Sequence, residues 1–280
     1  AMARATPVPR QRRAVARRLA FAADILPRDV GALVVKEWLT IFRDLKRLSG
    51  VIWPLGVVAF YGVASARQQD ATGDDTAIRF WLANASVALV PWAVSLGLSI
   101  YAFGSEGKSI HLLRLIPVSA HRLFAAKVIA AAVPVMRFSE IVAIVGAVAA
   151  GGTWGEVVGM MALVAWGSIG FVAIDTAAAA FAPNFEADHI QRSTELIGRG
   201  FGIAAGTAFG LASALATARL VFFTAGVPDA LAGPLSLRIL GFHPFGWALV
   251  VAAVGMAMVI LYTVTAIATT CIDDLVRNGP

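Results

Sequence analysis

Charge is scarce in this sequence. Only 14% of its 280 residues are Asp, Glu, Lys or Arg, against 59% that are hydrophobic, and the mean hydropathy is +0.77. So few charges cannot cover a soluble domain of this length, and the apolar residues gather into runs of about 20 or more. Runs that long argue for helices over a transmembrane barrel, whose strands need only about 10 alternating residues. Cysteine is nearly absent: Cys271 alone excludes an intrachain disulfide framework and a cysteine-rich metal site. The histidines, His111, His121, His189 and His243, are dispersed, with no HExxH pattern or close carboxylate set, so neither a metal nor a cofactor site is expected in this chain. The fold class these absences leave is an all-α polytopic membrane protein.

The hydrophobic pattern predicts six transmembrane helices, at about 49–66, 80–102, 123–150, 154–181, 197–224 and 245–270. Residues 1–30 read as a basic tail or linker, with Arg10, Arg12, Arg13, Arg17 and Arg18 suited to lie against anionic lipid. Over 31–50, Val34, Val35, Trp38, Leu39, Ile41, Phe42, Leu45 and Leu48 recur at helical spacing with charges between them. That pattern predicts an amphipathic helix lying in the membrane interface. The six-span domain then occupies 51–270 and a short tail 271–280. Of 23 Lys and Arg residues, 18 fall in the N-terminal region, the 103–127 segment, the 182–199 connection and the C-terminal tail, which predicts both termini in the cytoplasm. Trp81, Trp154 and Trp247 fall at the opposite ends of spans, as an aromatic belt requires. The outer connection 221–244 is apolar but broken by Gly226, Pro228, Gly233, Pro234 and Gly241. Two re-entrant half-helices or a plain external loop would both fit it.

Inside the membrane three charges stand out. Arg137 and Glu140 lie three residues apart in the third span, on one helical face that the cost of burying charge in lipid predicts to point inward. They read as an intrahelical ion pair or as part of a translocation path or dimer contact. Asp175 lies toward the cytoplasmic end of the fourth span. In the fifth, Gly198, Gly202, Gly206 and Gly210 form a small-residue stripe suited to close helix packing.

The segment 103–122 sits between two spans and carries its own pattern. Gly104–Ser109 reads GSEGKS but fails as a phosphate loop, because position 102 is Ala where the motif needs Gly and a membrane helix replaces the preceding strand. Ile110, Leu112, Leu113, Leu115 and Ile116 against Glu106, Lys108, His111 and Arg114 make a short amphipathic helix. Pro117 stops it, and Ser119 can cap the next helix. It is either a surface helix between spans or a docking element for a cytoplasmic partner.

At these residues the chain resembles the ABC-2 type (type V) ABC exporter permeases. VVKEWLTIFRDLKRLSGVIWPL (34–55) looks like that family's amphipathic connecting helix, and SEGKSIHLLRLIPVSAHRLFAAK (105–127) like its coupling stretch. FAPNF (181–185) with Glu186 is similar to the connection after the fourth span in larger members, and 221–244 to the family's re-entrant outer helices. The resemblance implies a non-enzymatic permease unit of the bacterial inner membrane. Glu106, Gly107, Ile110, Leu113, Arg114, Pro117 and Val118 would couple it to a cytoplasmic ABC ATPase that binds ATP and Mg2+, and a second six-span unit (itself, a homologue or the other half of a longer chain) would complete the path. The basic N-terminal extension departs from the simplest pattern and fits a linker from a preceding membrane half. A proton-coupled secondary carrier and a non-transport scaffold subunit are the rival readings. Nucleic acid is not expected as a partner, and the substrate is not written in the pattern.

Overall fold

The computed structural model describes residues 26–43, 56, 87–104, 106, 118–149, 151–185, 194–224 and 244–278. Among them the chain is helical: α1 is Arg28–Arg43, a 3₁₀ turn at Val87–Leu89 leads into α2 at Val90–Leu98, α3 is Ala120–Ala149, α4 Trp154–Phe181, α5 Leu196–Thr224 and α6 Pro244–Asn278. Four of these, α3 to α6, contain stretches long and apolar enough to cross a membrane, and the chain reads as membrane-embedded. The predicted first span apart from Gly56, residues 107–117 of the predicted amphipathic helix and residues 225–243 of the outer connection lie outside the described residues.

Helix α4 is the central post, with α2, α3, α5 and α6 packed around it. Its second half, Phe171 to Ala180, is buried at nearly every position, and the alanines there let neighbours approach closely. The outer faces of α3, α5 and α6 expose Ile141, Val145, Ile203, Leu211, Val251 and Tyr262, as surfaces meant for lipid do. Trp154 at the start of α4 is 83% exposed.

The link from α3 to α4 is a tight hairpin with chemistry at each end. Gly151 takes φ 71°, donates its N–H to the Val148 carbonyl, and is followed by Gly152 donating to Ala147. This is the Schellman closure, and the left-handed residue it needs is glycine. Glu156 then accepts from both the Thr153 N–H and hydroxyl at 2.8 Å, fixing the first turn of α4.

Two boundaries and one placement differ from the sequence expectation. The helix of the second span ends at Leu98 and the chain turns through 99–103. Its freed carbonyls find other donors: Ala102 accepts from Lys127 Nζ at 2.7 Å, and Ile100 from the Thr194 hydroxyl. The last helix runs on to Asn278, eight residues past the expected end of the sixth span at 270. Helix α1 runs alongside α3 in the same direction, since Asp29 meets Arg122, Glu37 meets Lys127 and Trp38 Nε1 meets the Ala130 carbonyl in that order. Its buried stripe is Val30, Leu33, Val34, Glu37, Trp38 and Ile41. That arrangement sets the apolar face of α1 against the opening turns of a span, whereas the amphipathic pattern predicts a helix lying in the membrane interface.

Glycine permits the closest packing. A Cβ on Gly170 of α4 would stand 2.1 Å from the Phe209 ring of α5, and that ring is itself held at 5.6 Å from Trp166 and 5.2 Å from Phe171. Gly170→Ala is therefore expected to destabilise the bundle by about 1–3 kcal/mol through overpacking. Gly255→Ala, with open space around it, should not destabilise. Thermal unfolding of both variants in detergent checks the contrast.

Candidate functional site

Two glutamates and two lysines from three separate elements meet beside the entry to the 107–117 segment. Lys127, on the second turn of α3, has a side chain only 2% exposed, and each of its ammonium hydrogens finds an acceptor: Glu37 at 2.9 Å, Glu106 at 2.8 Å and the Ala102 carbonyl at 2.7 Å. The ammonium also stands 5.0 Å from the Phe103 ring centroid. Glu106 accepts from Lys127 and, on both oxygens, from the half-exposed Lys36 at 2.7 and 2.8 Å. Lys36 also lies 3.8 Å from Glu37. The cluster sums to zero charge. A buried cation is expensive, and its burial is compensated here only because carboxylates come from both sides.

Each member is placed by a different local cause. Glu37 occupies a position in the buried stripe of α1, which turns it toward α3. Glu106 follows the unwound end of α2, where Glu106 N–H donates to the Phe103 carbonyl. Burial raises the proton affinity of the Glu106 carboxyl, but the Lys127 charge and the hydrogen bonds from Lys127 and Lys36 outweigh it and hold the pKa down to about 2. Farther out, the hydrogen bond from Arg122 at 2.8 Å lowers the Asp29 carboxyl below its ordinary range.

The other candidate residues fall elsewhere. Of the coupling set, Glu106 belongs to the quartet and Val118 packs at the edge of the core. Gly107, Ile110, Leu113, Arg114 and Pro117 lie outside the described residues. Arg137 donates to Glu140 at 3.0 Å, but the two do not share an inward face: the Arg137 side chain is 71% exposed and that of Glu140 15%. Positions three apart on a helix are offset by about 60°, which is enough for one to turn out while the other turns in. Asp175 is fully buried and bonded to the Ser95 hydroxyl of α2. The stripe of α5 faces the core, with Gly198 and Gly202 against Ala178, Gly206 against Trp92 and Gly210 against Phe171. Among the described residues no group of three His, Cys, Asp or Glu could hold a metal.

Sequence reading missed Lys36, Glu37 and Ser95 as site residues. The available signal was Glu37, a charge in register with Val30, Val34 and Ile41 on an otherwise apolar stripe. Comparison with protein-family models, with curated proteins and with solved structures finds no match for the chain.

Lys127→Met strands Glu37 and weakens the hold on Glu106. It is expected to destabilise the folded chain by about 3–5 kcal/mol, the cost of breaking a buried pair, read as a fall in detergent unfolding temperature. The pH dependence has a fixed sign. Glu106 has its folded pKa lowered from 4.5 to about 2, so its ionised form contributes stability above the unfolded value, and that contribution is lost as pH falls from 4.5 through about 2. Glu106→Gln should flatten this acid limb in a thermal unfolding series across pH.

Proposed function

We propose that this chain is the membrane permease unit of an ATP-driven exporter, taking its energy from ATP and Mg2+ bound by a separate cytoplasmic ABC ATPase and lying in a bacterial inner membrane with both termini cytoplasmic. The observation that carries the reading is the quartet. Through it, Glu106, which opens the 107–117 segment, is bonded directly to the start of α3 and to α1. A push delivered to Glu106 reaches two helices through short charged contacts. In this reading a second six-span unit, a copy or a homologue, completes the path, and no covalent chemistry is done by the chain itself.

A proton-coupled carrier is the second reading, and the buried Asp175 is the observation that favours it.

The deciding experiment is mild extraction of the tagged chain from its native membrane, with ATPase activity measured on the eluate. Co-elution of an ATPase is expected. Leu113→Glu combined with Arg114→Glu should reduce it about tenfold or more, the scale of losing an interface hot spot, while the variant still inserts. A single-species eluate without ATPase would overturn the exporter reading.

A further inference from the structure

Buried side-chain polar atoms without a hydrogen-bond partner are few among the described residues: Trp92 Nε1, Ser99 Oγ, Ser139 Oγ, Asp175 Oδ1 and Thr176 Oγ1. Two of them face the same part of the α5 glycine stripe. A Cβ built on Gly202 would meet Asp175 Oδ1 at 3.6 Å, and one on Gly206 would meet Trp92 Nε1 at 3.2 Å. Asp175 is 0% exposed, and an ionisable group so deep in a membrane bundle calls for a functional account.

The space and the donors limit what binds there. A Cβ on Gly202 would also stand 2.9 Å from the Ala178 Cβ, so the groove excludes an organic substrate. The indole N–H turned toward the same stripe opposes a metal cation. A proton needs no room. Ser95 Oγ touches two acceptors, the Trp92 carbonyl at 3.0 Å and Asp175 Oδ2, yet it has a single hydrogen. Both contacts are full hydrogen bonds when Asp175 Oδ2 carries a proton and donates it to Ser95, whose own hydrogen then goes to Trp92.

Among the described side chains the carboxylate meets no cation, and Ser95 is its hydrogen-bond partner. Helix α2 carries no charged residue. On α3, His121 and Arg122 are exposed in the first turn, Arg122 being paired with Asp29, Lys127 is committed to Glu37, Glu106 and the Ala102 carbonyl, and Arg137 to Glu140. On α5, Arg199 Nε donates to the Thr194 carbonyl. On α6 the ionisable residues are Tyr262, Cys271, the acids Asp273 and Asp274 and, in the final turn, Arg277, and α4 itself adds only Glu156, at its far end.

We infer that Asp175 is a proton-binding site, its proton held by Ser95 in the contact of α2, α4 and α5. Release of the proton leaves a carboxylate with one neutral hydrogen bond in a dry core, so it is linked to opening of that contact and entry of water. A proton cycle at Asp175 is compatible with an exporter and with a carrier, and stands or falls apart from either.

Infrared difference spectroscopy on the full chain in lipid nanodiscs tests it. At neutral pH a protonated-carboxyl band that shifts on deuteration is expected, lost in Asp175→Asn and retained in Glu140→Gln. Absence of any such band sensitive to Asp175→Asn would sink the proposal. Should that variant not fold, Ser95→Ala decides: a shifted band supports the site, and an unchanged spectrum overturns it. As pH is raised, disappearance of the band should coincide with faster amide exchange in α2 and α5. Exchange that rises without loss of the band would refute the link to opening.

Discussion

Lys127 cannot be buried alone, and much of the arrangement around it follows from that. Its three hydrogens demand three acceptors in a place where water does not reach. One is a backbone carbonyl that exists only because α2 unwinds after Leu98. Another is a glutamate that exists there only because α1 lies along α3. The third, Glu106, needs Lys36 as well, so the half-exposed edge of α1 is drawn in too. Removing any one element leaves the others with an unmatched charge, which makes α1, the turn at 99–106 and the start of α3 one mechanical unit.

The rest of the bundle is held by the opposite means, the absence of side chains. Gly170 and Gly206 let rings, and Gly202 and Gly198 the Ala178 methyl and carbonyl, come to distances that a methyl group would crowd. The space so made is filled by an aromatic series running from Trp92 through Phe171 and Phe209 to Trp166, which ends in a hydrogen bond to Ser213. Lipid supplies no hydrophobic drive between helices, so this dispersion contact is where α2, α4 and α5 gain their adhesion.

The long helices were legible because hydropathy averaged over 20 residues needs no knowledge of neighbours. The expected 123–150, 154–181, 197–224 and 245–270 lie within a few residues of α3, α4 and α5 and of the start of α6. What composition could not place was direction. The apolar face of α1 was readable from spacing, but that it covers α3, with Glu37 aimed at Lys127, depends on a residue 90 positions away. Arg137 and Glu140 were readable as a pair, yet a pair offset around the helix straddles the boundary between core and exterior, and the two-residue pattern holds no sign of which partner turns out. The end of α2 was overrun for a similar reason: Ser99 to Ala102 is apolar enough to continue a span, and it stops because Lys127 and Thr194 claim its carbonyls.

The neutrality of the quartet bears on how the protein meets the membrane potential. A unit charge carried across the bilayer does work of about 2.3 kcal/mol per 100 mV. Two lysines and two glutamates displaced together, as one body, do none. Displacement of the quartet is therefore electrically silent in itself, whereas a movement that parted Lys127 from its carboxylates would register as a gating current.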